Sequence, residues 1–303
     1  MKGVFSSVIR ITLLIVFVLL LSGCKQNPSA TLVTDLQTMP SLAPSDPAPL
    51  PIKTIYIPVS ETWTYMDGVQ SGLVITVEYI YDSENRLRQI KQGSEYYDYV
   101  CEVTSDEYGR ALLVEHHNGF RQAFTYDEYG RVQTFDVFGS VREYTYDEEG
   151  KLIRSTLPYG QGSEVGSYIT EYLYRDGLLV EKNEYQEETV RTYQGGSWIE
   201  TKECTQLGST VYEYDSYGRI IRETTNNPGC EPLVASYSYS DDGLTRTRVC
   251  NGTTNIEIFD DNGNLISVEY SSAISTYKCE YTYKAIEVPG ESQYNPYQES
   301  EPH

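Results

Sequence analysis

From about residue 54 to residue 288 the chain alternates apolar or aromatic positions with polar ones, and each burst of alternation stops at an acidic residue followed closely by glycine or asparagine. Four copies of this pattern are clear: Tyr79 to Leu87 (YIYDSENRL), Phe124 to Val132 (FTYDEYGRV), Tyr144 to Leu152 (YTYDEEGKL) and Tyr212 to Ile220 (YEYDSYGRI). Weaker copies stand at Val103 to Ala111, Tyr172 to Leu178, Tyr237 to Leu244 and Glu257 to Leu265. A period of two puts both rings of each Tyr-x-Tyr on one face of a strand, whereas an amphipathic helix needs a repeat of about 3.6. The pattern therefore predicts strands. Aspartate at the start of the bend can accept backbone N–H groups and glycine supplies a positive φ. The Leu, Val or Ile that follows opens the returning strand, which describes a type I turn closed by a glycine bulge.

The bend glycines Gly109, Gly130, Gly150, Gly177, Gly218, Gly243 and Gly263 are separated by 21, 20, 27, 41, 25 and 20 residues. About 20 residues are what a strand, a turn, a return strand and a second turn consume. The 41-residue step reads as two periods with a degenerate copy at Thr192 to Ile199 (TYQGGSWI) between them. A lone hairpin is marginal in water, so the copies must pair side by side. The expected fold is all-β: a repetitive antiparallel β-hairpin array forming one long curled, single-layer sheet over residues 54–288.

The two ends read differently. Lys2 and Arg10 precede or begin an uninterrupted apolar run from Ile11 to Leu21, which as helix would cover only about half of a ~30 Å hydrocarbon core. Residues 1–23 are therefore expected to be a secretion signal and not a membrane span. The following Leu21-Ser22-Gly23-Cys24 resembles the bacterial lipobox. That resemblance implies diacylglycerol on the Cys24 sulfur, cleavage ahead of Cys24, and an envelope lipoprotein held on the outer face of a membrane, or on the outer membrane where there are two. Two or three acyl chains anchor stably because each buried methylene contributes ~0.8 kcal/mol. Residues 24–53 carry Pro28, Pro40, Pro44, Pro47, Pro49 and Pro51 and are expected to form a disordered linker behind the anchor. Residues 289–303 are expected to form a disordered acidic tail.

Charge narrows the partners. With 23 Lys+Arg against 44 Asp+Glu the net charge is -21, which argues against nucleic acid, whose affinity comes from neutralised phosphates. Three histidines leave little for a His-based triad or a zinc site. The 29 tyrosines against 7 phenylalanines suit a sheet one layer thick, because Tyr buries its ring while its hydroxyl reaches water or a carbonyl.

The recurring Tyr-Asp-x-x-Gly-Arg followed by an apolar residue resembles the YD-repeat, or rearrangement-hotspot (RHS), family over roughly residues 75–284. The resemblance implies hairpins wound into a curled sheet, which in long members closes into a shell around cargo. This chain has only about nine such units and lacks both the family's Asp-Pro-x-x-Gly-Arg core segment and an effector domain after the repeats. Encapsulation and self-cleavage are therefore not carried over.

Candidate chemistry is sparse. Tyr108, Tyr129 and Tyr217 sit inside bends, off the Tyr-x-Tyr face, and form a possible binding platform for sugar rings or a protein partner. The bend acids Asp82, Asp106, Asp127, Asp147, Asp215, Asp241, Asp242, Asp260 and Asp261 invite calcium, yet they lie a hairpin apart and already have a turn to cap. His116 and His117 read as a surface pair beside a turn. Five cysteines follow Cys24: Cys101, Cys204, Cys230, Cys250 and Cys279. Export permits a Cys230–Cys250 or Cys250–Cys279 disulfide, with free thiols the leading alternative. No catalytic group, cofactor or metal site is expected, and the sequence sets no oligomeric state. The function this supports is a membrane-anchored, non-enzymatic binding or scaffold module for envelope glycan or protein partners. The alternative is an exported hydrolase or immunity-type factor with acidic groups on the concave face of the sheet.

Overall fold

The structure, a computed structural model, describes residues 52–67, 71–161, 164–195 and 197–289. The 1–23 signal, Cys24 with nearly all of its 24–53 linker, and the 289–303 tail beyond Pro289 lie outside the described residues. In chain order the strands are β1 (Ile52–Tyr65), β2 (Val74–Tyr81), β3 (Leu87–Ser94), β4 (Tyr97–Ser105), β5 (Ala111–His116), β6 (Arg121–Tyr126), β7 (Val132–Val137), β8 (Ser140–Tyr146) and β9 (Leu152–Gln161). They continue as β10 (Glu164–Arg175), β11 (Leu178–Gln194), β12 (Ser197–Tyr214), β13 (Ile220–Asn226), β14 (Leu233–Tyr239), β15 (Thr245–Cys250), β16 (Thr253–Phe259), β17 (Leu265–Ser271) and β18 (Thr276–Pro289).

Each strand pairs antiparallel with the next one in sequence. The first pairs with the last, from Ile52↔Pro289 to Tyr65↔Tyr277. The sheet is therefore an 18-stranded closed barrel, and the expected open, curled single-layer sheet is corrected on this point. The strand that closes the ring, β1, lies ahead of the first recognisable repeat, so the repeat pattern does not contain it. Its own alternation makes the closure: Trp63 and Tyr65 are buried beside Cys279 and Tyr281 of β18, and Ile57 is buried further along the same strand. Closure removes both free edges, which an open array would expose along their whole length.

The ring has two unlike faces. Along β2, Ile75, Val77 and Tyr79 are buried while Val74, Thr76 and Glu78 between them are exposed. The buried set continues around the ring through Leu87, Ile90, Cys101, Val103, Val114, Phe124, Val132, Tyr144, Leu152, Tyr172 and Leu179. Among the described residues there is one sheet and no second layer, so the shielded face is the one turned inward. Outward positions mix polar residues such as Lys91, Glu102, Arg121 and Glu143 with apolar ones such as Val74, Leu112, Val141, Ile153, Leu173 and Val249, all exposed. No helix among the described residues is long and apolar enough to cross a membrane.

The 41-residue step holds one long hairpin instead of two repeats. β11 and β12 have 17 and 18 residues, and the sequence read as a degenerate copy forms their tip, at the opposite end of the barrel from the Asp-x-x-Gly bends. Polar alternation simply continues through Thr189 to Gln206, so no bend interrupts either strand.

Candidate functional site

In an up-and-down ring alternate connections share a rim, so every Asp-x-x-Gly bend falls on the same one. The chain enters and leaves there as well, since β1 begins and β18 ends beside the Asp82 bend, where Lys284 Nζ meets Asn85 Oδ1 at 2.9 Å.

Each bend is built around its aspartate. At Asp127 the backbone N–H donates to Arg131 O at 2.9 Å, and the Gly130 N–H donates back to Asp127 O at 3.0 Å with Gly130 at φ 81°. Oδ1 accepts the N–H groups of Tyr129 and Arg131 at 3.0 and 2.8 Å, while Oδ2 accepts Arg131 Nε at 2.7 Å. Asp106 and Asp215 repeat the same set. Asp82 gains a second guanidinium from Arg88 at 2.7 Å. Burial would raise the Asp82 carboxyl, but the Arg86 backbone N–H and the two arginines outweigh it and hold the group down to about 2. The Arg219 N–H is the main cause that lowers Asp215. These carboxylates are thus committed to their turns, which is the role the sequence assigned them.

The arginine then bridges to the next hairpin. Arg131 lies 4.8 Å from the ring centre of Tyr129 in its own bend and 4.5 Å from Tyr146 in the following copy. Arg110 does the same between Tyr108 and Tyr126, at 4.9 and 4.6 Å. Arg219 lies between Tyr217 and Tyr239, at 5.2 and 4.5 Å. The second tyrosine of the pair also donates its hydroxyl to the carbonyl that opens the preceding return strand. Tyr126 reaches Ala111 O and Tyr146 reaches Val132 O, each at 2.8 Å, and Tyr239 reaches Ile220 O at 2.9 Å. This clasp was not foreseen, although its signal is in the sequence as an arginine four residues after Asp and a tyrosine immediately before the next bend, which opens with Asp127 and Asp147 in two cases and Ser240 in the third.

Tyr108, Tyr129 and Tyr217 therefore occupy one rim, with 41%, 67% and 82% of their surface exposed. Tyr108 and Tyr129 stand on adjacent hairpins, whereas Tyr217 lies beyond two intervening bends. Beside Tyr217 an open cleft of about 560 Å³ is lined by Arg219, Tyr239, Ser240, Asp241, Asp242 and Gly243. An aromatic face flanked by carboxylate acceptors and a guanidinium is suited to stacking against a ring while accepting bonds from its hydroxyls.

No family model matches the chain, and no curated protein matches it. Solved structures to which the chain is similar include a porin-like protein from Bacteroides uniformis, at 12% identity and a TM-score of 0.39 over 78% of this chain and 98% of that one. A porin-like protein from Bacteroides vulgatus matches at 10% identity and a TM-score of 0.30 over 75% and 99%. A chain of the Photorhabdus luminescens Tc holotoxin pore matches at 13% identity and a TM-score of 0.28, and this chain spans 14% of its length.

The inward face carries the remaining titratable groups. Glu61, 1% exposed, accepts hydrogen bonds from Trp63 Nε1 at 3.0 Å and from the Tyr79 hydroxyl. It is the one buried carboxylate among the described residues. His116 corrects the surface-pair reading: it is buried on β5 against Tyr99 and Cys101, with Cys101 Sγ 3.3 Å from Nδ1, while His117 alone is exposed. Adjacent strand residues face opposite ways, so one of the two had to point inward. Burial pushes the Cys101 thiol up to about 12 and lowers His116, so both are neutral near pH 7 and form no thiolate–imidazolium pair. The five thiols after Cys24 are unpaired: Cys101, Cys250 and Cys279 are buried, Cys204 and Cys230 exposed. Cys250 faces Ala235 across the ladder instead of Cys230. Among the described residues no cluster of His, Cys, Asp or Glu could hold a metal ion.

Proposed function

We propose that the chain is an exported, lipid-tethered envelope protein whose bend rim binds glycan without turning it over. The observation that carries this reading is the set of exposed tyrosines at positions 108, 129 and 217, each held by an arginine that is itself fixed by the bend aspartate. A rigid, solvent-facing aromatic ring loses little conformational entropy when a sugar stacks on it. The second reading, an exported enzyme, would need on the inward face the pair of carboxylates that glycoside hydrolysis uses.

The test is co-sedimentation of the full chain with purified peptidoglycan. Replacing Tyr108, Tyr129 and Tyr217 together by serine should weaken binding by at least about tenfold and lower Tm by roughly 3–12 °C, because the three exposed ring–guanidinium contacts contribute roughly 0.5–1 kcal/mol each. Binding unchanged in the triple variant, or release of soluble sugar during incubation, would refute the proposal. Incorporation of labelled palmitate that is lost in Cys24→Ser checks the tether.

A further inference from the structure

The long β11–β12 hairpin is an arm. β10 pairs with β11 only as far as Glu188, and β13 pairs with β12 only from Ser209. Beyond those points β11 and β12 have no partner but each other, through Gln194↔Ser197. At ~3.4 Å per residue, Thr189 to Gln194 carry the tip roughly 20 Å past the β10 edge. Ser197 through Leu207 are exposed throughout. Tyr193 and Trp198 pair across the tip with ring centres 5.3 Å apart, and are 60% and 68% exposed. The arm extends from the rim opposite the chain ends. In a chain of net charge -21 the arm beyond Glu188 carries two basic and two acidic residues, with Arg191 ion-paired to Glu200 at 2.9 Å across the ribbon and Lys202 reaching back to Glu187 at 2.7 Å.

A two-stranded ribbon with both edges open is marginal in water, and an unpaired strand edge is a template for another strand. We propose that the β12 edge of the arm pairs antiparallel with the β12 edge of a second copy of this chain, making a four-stranded arm-to-arm sheet. A twofold axis normal to that sheet preserves side-chain faces, so residues of equal parity meet. The register centred on Thr201 sets Thr201 against Thr201, Glu200 against Lys202 and Lys202 against Glu200, and places Trp198 over Cys204 of the other copy. Centring on Glu200, Lys202 or Glu203 would instead oppose like charges. Opposite charges and Thr–Thr pairs across an antiparallel ladder are stabilising, and like charges directly opposed are not. Antiparallel overlap also holds the two acidic bodies roughly 20 Å or more apart, beyond twice the ~8 Å screening length at physiological salt. This pairing stands independently of whether the opposite rim binds glycan.

Sedimentation velocity of the full chain in detergent over a concentration series tests it. The wild type should shift from monomer to dimer as concentration rises. Lys202→Glu, which also removes the Lys202–Glu187 contact within the arm, should weaken the dimer by about tenfold or more by setting two acids opposite each other twice, while Glu187→Gln, which removes only that inner contact, should leave the dimer unchanged. Thr201→Cys should cross-link to dimer with diamide, while the wild type, whose Cys204 faces Trp198, should not. A monomer at every soluble concentration, or a dimer indifferent to Lys202→Glu, would overturn the proposal.

Discussion

Glu61 is a carboxylate inside an aromatic wall. Burial makes its carboxyl hold a proton to higher pH than an ordinary glutamate, against the opposing pull of the hydrogen bonds from Tyr79 and Trp63. The folded chain thus binds a proton where the unfolded chain, with a carboxyl near roughly pH 4.3, has released it. The contribution of Glu61 to stability is therefore present below the unfolded value and is lost as pH rises through the raised one. Asp82 has the opposite slope: its carboxyl is depressed to about 2, so its contribution is present above the unfolded value and disappears as pH falls toward 2. Glu61→Gln, which keeps an acceptor but cannot ionise, should gain Tm relative to the wild type with rising pH. Thermal melts from about pH 4 to 8 check this, and a constant difference would show that Glu61 titrates normally. Glu61 alternates with Trp63 and Tyr65, a pattern not singled out from the sequence. The sequence could not indicate that this face is shielded, because that depends on β18, more than two hundred residues away in the chain.

The hairpin was the most legible element. The Asp127-to-Arg131 bend has the turn, the bulge and the aspartate bonds its residues predict, because every one of those interactions is local. What joins one hairpin to the next was not legible, since the Arg131–Tyr146 stack and the Tyr146-to-Val132 hydrogen bond exist only once neighbours are in register. Arg131→Ala and Tyr146→Phe address these two contacts separately. The loss of the Tyr146 hydroxyl should cost about 1 kcal/mol. A double-mutant cycle between Arg131→Ala and Tyr146→Leu in urea unfolding should return a coupling of about 0.5–2 kcal/mol. A coupling indistinguishable from zero would mean that the stack is incidental to pairing. Arg131→Lys should recover only part of it, because an ammonium does not lie flat on a ring. The long β11–β12 arm was misread for a related reason: its polar alternation has the same period as a repeat, and only the partners of its edges distinguish one long ribbon from two short ones.

For the molecule as a whole the seam decides both shape and folding order. All other strand pairs join sequence neighbours, while β1 meets β18 across a separation of 222 residues at Ser60 and Thr282. Bringing such distant segments together is the entropically costly step in closing the ring, so it should limit the folding rate. A circular permutant that joins Pro289 to Ile52 by a short linker and opens the chain between Glu95 and Tyr96 moves the seam to the β3–β4 pair. The permutant still closes a seam across nearly its whole length, so refolding rates within a factor of a few at similar stability are expected in stopped-flow mixing if ring closure as such sets the barrier, whereas a much faster or slower permutant would place the barrier in particular strand pairs. The position of the seam has a mechanical result as well. A pull on the chain ahead of Ile52 acts along the length of β1, which is stitched to β18 from Ile52 to Tyr65 and to β2 from Ser60 to Thr64. Drawn lengthwise, those bonds carry the load together in shear and do not peel one after another, so a strand pulled by its leading end is fastened along both of its sides.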